Sequence, residues 1–255
     1  MTTVVQALQD ATTELHNAAV ALLAARDGVN AQLGQTTTSL QSYVNIATAP
    51  SRTWVVDPVN GNDANDGLTQ ATAVKTLDYV FRVASPATRH FVLLLGNAQI
   101  NNRNTISGVI QIVGALLTPG QPNPYIGTMR TISFAAEALN SPQPFAGRCS
   151  GGLSLLSATV TMDQVNLVLP DVPAVLDSFY QIAGAGDSSF VLAGTINGTT
   201  PSNPGKLFKN NDASPFHVWV NGTFAGGLAG RIFSGVAAGG NPNTGGAYQT
   251  NITSA

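Results

Sequence analysis

Charged side chains are scarce in this sequence: only 9% of its 255 residues are Asp, Glu, Lys or Arg, against roughly 25% in an ordinary soluble domain. The 13 acidic and 11 basic residues nearly balance, and no basic cluster occurs. Because binding to nucleic-acid phosphates depends on clustered Lys and Arg, we expect no nucleic-acid partner. Hydrophobic residues make up 44% of the chain, which suffices for a buried core at this length.

Cysteine and long apolar stretches are also nearly absent. Cys149 is the one cysteine, so an intrachain disulfide and a Cys-based zinc site are excluded. The apolar stretch from Phe91 to Leu95 is far shorter than the roughly 20 residues that cross a membrane as a helix. We therefore expect no membrane insertion. The first residues lack the basic start and apolar block of a secretory signal, so we expect no export by that route.

Residues 1–48 contain no proline and carry a seven-residue apolar repeat. One heptad position holds Leu8, Leu15, Leu22 and Val29, and a second holds Ala11, Ala18 and Ala25. This pattern predicts a coiled-coil segment that self-associates, although the Leu/Ala repeat alone does not fix the number of helices in the bundle. The alternative is one or two amphipathic helices that fold back on the rest of the chain, with a break at Gly28 and Gly34.

From residue 52 to residue 255 the pattern changes to β structure with many turn formers, among them most of the 26 Gly and 14 Pro residues. Within residues 76–84, Leu77, Val80, Phe81 and Ala84 have helical spacing, which predicts one short capping helix. Apolar runs that begin at Phe91, Val109, Thr131 and Leu153 recur at intervals of about 20 residues. This period favours stacked coils with one strand each, and a β-sandwich is the alternative.

The segment Trp54-Val-Val-Asp57-Pro-Val-Asn60-Gly61-Asn62-Asp63-Ala-Asn65-Asp66-Gly67-Leu68, followed by Lys75-Thr76-Leu77, resembles the opening of right-handed parallel β-helix domains of the pectate-lyase-like kind. Such domains begin with a strand that ends in Val-Asp, a Gly- and Asp-rich loop, and a Lys-Thr-Leu that enters a capping helix. The match covers about 30 residues of the chain. With a helical segment ahead of it, the sequence resembles a bacteriophage tail fibre or tailspike subunit.

The resemblance implies a mainly β protein that forms a homotrimer through residues 1–48 and belongs to the virion after assembly in the host cytoplasm. It implies attachment to other tail or baseplate proteins by the N-terminus, and contact of the β-helix with host surface polysaccharide. The body is short for a tailspike, which favours a short fibre or an adaptor. The alternative is a polysaccharide depolymerase, either a glycosidase or a lyase.

Candidate catalytic residues are few. Glycoside cleavage needs two carboxylates roughly 5 to 10 Å apart, and Asp163 and Asp187 are the best pair if they stack on adjacent coils of one face. Both also read as turn residues, so we favour binding over catalysis. The loop with Asp57, Asp63 and Asp66 fails the calcium-loop template because Ala64 occupies a ligand position. We expect turn-forming side chains there, no metal and no cofactor.

Aromatic residues are the candidate contacts for a glycan or for a protein interface. Phe216, Val218 and Val220 alternate along one predicted strand, which sends Trp219 to the opposite, outer face. Tyr125 follows a proline-rich loop and is the second candidate. The glycine-rich segment from Gly222 to Ala255 is predicted either as a trimer-closing β cap or as a loose tail.

Overall fold

The computed structural model describes residues 2–48, 50–117, 125–139, 149–173, 180–198 and 203–254. The chain divides into two compact units between Ala49 and Pro50. The first unit is a single helix, α1 (Thr2–Thr48), and the second is a β unit with a short helix, α2 (Leu77–Val83). None of the helices in the described ranges is long and apolar enough to cross a membrane.

Helix α1 continues without a break through Gly28 and Gly34. The chain from residue 1 to residue 49 lacks proline and is rich in Ala, Leu and Gln, which have high helix propensity. The break that the folded-back alternative placed at these two glycines is therefore absent. Four apolar side chains at heptad spacing are exposed on α1, and we call them the apolar stripe: Leu8 (71%), Leu15 (75%), Leu22 (75%) and Val29 (55%).

Within the described residues, the strands of the β unit pair in parallel, except for one antiparallel pair, β4 with β5. The strands described are β1 (Ser51–Val56), β2 (Arg89–Leu94), β3 (Ala98–Ile100), β4 (Arg103–Leu117), β5 (Tyr125–Gly127), β6 (Arg130–Phe134), β7 (Gly152–Leu169), β8 (Tyr180–Ala185), β9 (Ser189–Gly198), β10 (Lys206–Asn210), β11 (Phe216–Gly226) and β12 (Tyr248–Thr250). Because β-sandwiches of the kind considered above pair antiparallel strands, the parallel register excludes that alternative.

The strands form three faces around a common core. The first face runs through β1, β2, the middle parts of β4 and β7, the first halves of β9 and β11, and β12. The second face contains β3, β6 and the last parts of β7, β9 and β11. The third contains the first parts of β4 and β7, then β8 and β10. The chain therefore winds in stacked coils, an arrangement compatible with the β-helix class.

The period expected from the apolar runs is wrong in one respect. Phe91 and Val109 do lie on successive coils of the first face, in β2 and β4. Thr131 and Leu153, however, lie on the second and third faces. An interval of about 20 residues can thus lead from one face of a coil only to the next face. Each full coil holds up to three strands, and the connections between them differ in length.

The core consists of inward columns in which each residue is aligned with its neighbours on adjacent coils. On the first face, one column holds Trp54, Val92, Ile112, Met162, Leu192 and Val220, all at most 5% exposed. Helix α2 covers the N-terminal end: Thr76 accepts a hydrogen bond from Tyr79 N, and Leu77, Val80 and Phe81 are buried. The capping helix therefore lies inside the segment 76–84 chosen from the sequence.

The glycine-rich end of the chain packs against the last coils. Phe233 stacks between Phe208 and Tyr248, with ring centroids 5.5 and 4.8 Å away, and β12 pairs with the first residues of β11. A 3-10 helix (Pro242–Gly245) precedes β12. The described part of this segment is therefore an ordered cap within one chain, and not a loose tail.

Candidate functional site

The structure does not bring Asp163 and Asp187 together. The two residues lie on adjacent coils, but Asp163 is aligned with Ala193 at one end of the first face. Asp187 precedes Ser189 at the other end, in a corner where its φ is 55°. Roughly 15–20 Å of strand separates the two positions, which is more than the 5 to 10 Å that glycoside cleavage requires. Adjacent stacking, as expected from the sequence, is therefore wrong for this pair.

The Asp- and Asn-rich loop after β1 uses its carboxylates to hold backbone. Asp57 Oδ1 accepts hydrogen bonds from Val59 N and Asn60 N, both at 3.0 Å. Burial alone would raise the pKa of Asp57, but the hydrogen bonds from Asn60 and Val59 outweigh it and lower the pKa below 3.8. Asp63 accepts from Lys75 N and Thr76 N at 2.8 Å each. The Asp57 bonds are those expected of a turn-forming side chain, whereas Asp63 joins its loop to backbone 12 and 13 residues further along the chain.

Trp219 lies on the outer side of β11. Its neighbours Val218 and Val220 point inward and are 1% and 5% exposed, whereas Trp219 is 57% exposed. The alternation follows from the strand geometry, in which successive side chains leave opposite faces. The exposed indole is the large apolar side chain at this place, which makes Trp219 a candidate contact for a ligand or a partner.

Trp219 borders an open groove of about 350 Å³ on the first face, which we call the Trp219 groove. Register explains its shape, because Gln249, His217 and Ser189 form one outward column and Trp219 and Val191 form the next. The remaining wall comes from the end of the chain. The groove is lined by Ser189, Phe190, Val191, His217, Val218, Trp219, Asn243, Gln249 and Thr250.

Side-chain amides fasten that wall to β11. Asn243 Oδ1 accepts from Thr250 N at 2.9 Å, and its Nδ2 donates to Ile252 O at 3.3 Å. The side-chain amide of Asn251 pairs with the backbone of β11 as a neighbouring strand would. Its Oδ1 accepts from Val220 N at 2.9 Å and its Nδ2 donates to Val220 O at 2.6 Å. The groove is therefore built on paired backbone and not on a free loop.

The lining of the groove has no Asp, Glu, Lys or Arg. It offers an aromatic ring, hydroxyls, side-chain amides and the imidazole of His217. This set can stack on and hydrogen-bond to a neutral ligand, but it contains no pair of carboxylates for acid–base cleavage.

Tyr125 is not part of this groove. It is the first residue of β5 and is aligned with Leu117 of β4. Along the first face, β7 and β9 lie between β4 and β11. The backbones of β4 and β11 are therefore about 14 Å apart. The placement of the Tyr125 side chain lies outside what the structure describes.

Two sets of buried polar side chains are not among the residues predicted as functional from the sequence. Trp54 Nε1 donates to His90 Nδ1 at 3.0 Å. The guanidinium of Arg103 donates to Ser154 Oγ at 3.1 Å and stacks on the Tyr180 ring, 4.5 Å from its centroid. Burial lowers the pKa of Arg103 to about 10. Only the pairing of strands distant in sequence brings these groups together, so no local motif reveals them.

No family model, curated protein or solved structure matches this chain. The functional proposal therefore rests on α1, on the stacked coils and on the Trp219 groove.

Proposed function

We propose that the chain is a structural subunit of a bacteriophage tail, a short fibre, tailspike or adaptor. In this proposal α1 holds three copies together and attaches them to other tail or baseplate proteins. The β unit projects from the particle and contacts the host cell surface. Its mechanism is multivalent binding by three linked copies, which raises avidity without any new contact.

The apolar stripe of α1, ahead of a stacked-coil unit, is the observation that carries the proposal. Leu15 and Leu22 are each 75% exposed, and burial of one such side chain stabilises an assembly by about 1.5–3 kcal/mol. The stripe repeats every seven residues, which is the spacing that a coiled-coil seam requires. A helix of 47 residues with this pattern is best accounted for by parallel copies of itself.

The β unit supports the same proposal by its rigidity and its surface. Parallel pairing joins the coils along the whole first face, and the stack is covered by α2 at one end and by the rings of Phe208, Phe233 and Tyr248 at the other. Stacked coils need such coverage because their end strands otherwise present unpaired backbone groups. The Trp219 groove gives this unit a neutral surface suited to a polysaccharide.

The mass of the full chain in solution tests the assembly. We expect light scattering to give three times the 26.2 kDa of one chain. The double variant Leu15→Asp/Leu22→Asp places charge in the stripe and should be monomeric, since a buried unpaired carboxylate is costly. The matched variant Thr13→Asp/Val20→Asp adds the same charge at the heptad position farthest from the seam and should remain trimeric. A monomeric wild type would refute the proposal.

Binding to purified host-surface polysaccharides tests the contact. We expect Trp219→Ala to weaken binding at least about tenfold, which corresponds to about 1.4 kcal/mol, because the ring is the largest apolar surface of the groove. Phe224→Ala is the control, since Phe224 is also exposed, at 40%, but belongs to the second face. Equal affinity of the Trp219→Ala variant and the wild type would remove the groove from the contact.

A further inference from the structure

The first coil buries a tryptophan and a histidine in direct contact. Trp54 of β1 and His90 of β2 are each only 2% exposed. The indole Nε1–H donates to His90 Nδ1 at 3.0 Å. The other ring nitrogen, Nε2, lies 3.1 Å from Ser85 O and 3.0 Å from Ser85 N. His90 thereby joins β1 to the segment between α2 and β2.

Hydrogen-bond chemistry fixes the protonation state of this ring. An indole N–H can only donate, so His90 Nδ1 must be an acceptor and carry no proton. A neutral imidazole then carries its proton on Nε2 and donates it to Ser85 O; in this tautomer Nε2 does not accept from the Ser85 N–H that lies 3.0 Å away. A second proton would have to enter at Nδ1, where it would face the Trp54 N–H. Protonation and the Trp54–His90 hydrogen bond therefore exclude each other.

Among the described residues, only the backbone hydrogen bond with Ser85 favours an imidazolium at this position. From β1, the Arg52 guanidinium lies 3.7 Å above the Trp54 ring and donates to the backbone oxygen of Asp66. From α2, Tyr79 meets Trp54 edge to face, and Arg82 lies over Tyr79. From β4, the residue aligned with His90 is the apolar Ile110. The ion pairs found in the described ranges, Arg26 with Asp27 and Arg231 with Asp171, do not involve His90.

Burial lowers the pKa of His90 below its ordinary value of 6.5; the backbone hydrogen bond with Ser85 opposes this shift, and the charge of Arg52 adds to it. Above pH 6.5 the ring is neutral in the folded and the unfolded chain and adds no pH dependence. Between 6.5 and the lower pKa of the folded state, the unfolded chain binds the proton first. Stability therefore falls as the pH falls through this window.

We propose that the Trp54–His90–Ser85 hydrogen-bond chain is an acid-sensitive switch in the first coil of the β unit. Protonation of His90 Nδ1 breaks the bond to Trp54 and so removes the side-chain link between β1 and the segment before β2. Strand β1 begins at Ser51, directly after the helical unit ends, and Pro50 O accepts from Arg89 N at 2.9 Å beside His90. Acid thus loosens the part of the β unit that follows α1. This inference does not depend on the proposed function.

The full chain with Trp219→Phe tests the switch, because it leaves Trp54 as the single tryptophan of the two. We expect Trp54 emission to decrease and shift to longer wavelength, reversibly and with a midpoint below 6.5, on titration from about pH 8 to about pH 4. The far-ultraviolet β signal should persist through this transition. No change in Trp54 emission, or a simultaneous loss of the β signal, would overturn the proposal.

Two histidine variants in the same background provide the controls. Gln at position 90 accepts the indole N–H without titrating, so His90→Gln should abolish the transition. His217→Gln changes the half-buried histidine of the Trp219 groove and should leave the transition intact. An unchanged midpoint in His90→Gln would contradict the switch.

Nuclear magnetic resonance on the Trp219→Phe chain gives a readout that does not depend on whether His90→Gln folds. Among the three histidines, His90 should titrate below 6.5, and the Trp54 indole proton should exchange faster below that midpoint. A His90 pKa at or above 6.5 would also overturn the proposal.

Discussion

Individual aspartates in the β unit act as acceptors that join segments of backbone. Asp78 of α2 shows this most clearly, since it is only 8% exposed. Its carboxylate accepts from Asn101 N at 2.9 Å, Asn102 N at 3.0 Å and Asn104 Nδ2 at 2.6 Å. Every one of these partners is a donor, so a carboxylate suits the position better than any neutral side chain. Asp78 thereby ties the capping helix to the turn between β3 and β4.

Substitution of Asp78 by Asn should destabilise the protein by about 1–3 kcal/mol. The new amide NH₂ would face a backbone N–H and leave a buried donor unsatisfied. Urea unfolding followed by circular dichroism measures the difference.

Asp187→Asn is the matched control for this substitution. Asp187 is exposed and has a φ of 55°, a conformation that Asn tolerates well, so its change should stay within about 0.5 kcal/mol. Equal effects of the two substitutions would show that the Asp78 bonds contribute nothing.

At the scale of the elements, the corners set how closely the strands stack. A corner is the place where a strand passes from one face to the next. Register shifts by one residue between Asp163 and Val165 of β7, where Gln164 has a φ of 54°. On the next two coils, Gly194 and Gly222 lie directly over this corner. A Cβ on Gly222 would lie 1.6 Å from Gly194 O. Only glycine lets the backbones approach this closely.

Gly222→Ala should therefore cost more than about 2 kcal/mol or prevent the last coil from pairing, since the obstacle is backbone and cannot rotate away. Its control is Gly245→Ala, because a Cβ there meets nothing within 4 Å. Thermal unfolding of both variants measures the effect. A Gly222→Ala variant as stable as Gly245→Ala would contradict the close contact at this corner.

At the scale of the whole molecule, the two units differ in what stabilises them. The buried cluster of the β unit extends from Trp54 to Ile252 and includes no residue of α1. The described side chains of α1 are exposed, and most helical stability in proteins comes from packing of an apolar face. The β unit thus has its own core, whereas the apolar stripe of α1 is exposed in the single chain.

A chain that begins at Pro50 should consequently fold without α1. We expect its circular dichroism to show β structure with a cooperative unfolding transition, while the helical signal is lost. If three copies assemble through α1, its mass by light scattering should fall to that of a single chain. Loss of the β signal in this shortened chain would show that the β unit needs α1 to fold.

Local sequence patterns are sufficient to predict the ranges of the helices and the direction of side chains on single strands. The heptad repeat up to Pro50 marks the range of α1, and the spacing of Leu77, Val80 and Phe81 marks α2. Alternation in β11 gives the outward direction of Trp219. These features depend on neighbours within a few residues, whose geometry follows from helix and strand periodicity alone.

Long-range pairing was beyond the reach of such patterns. The spacing of apolar runs indicated stacked coils but assigned one strand to each, because nothing local distinguishes a corner within a coil from the turn that ends it. The same limit led to the expectation that Asp163 and Asp187 stack, whereas their register places them at opposite ends of the first face.

The sequence by itself determined that the protein has a low-charge body rich in strands and turns, a helix with an apolar stripe, and a tryptophan on an outer face. Only the tertiary structure decided which strands are neighbours. The pairing of these strands places Asn243 and Thr250 in the wall of the Trp219 groove and buries His90 against Trp54. The physical reason is that strand register is set by the simultaneous packing of whole inward columns, whose members are far apart in the sequence.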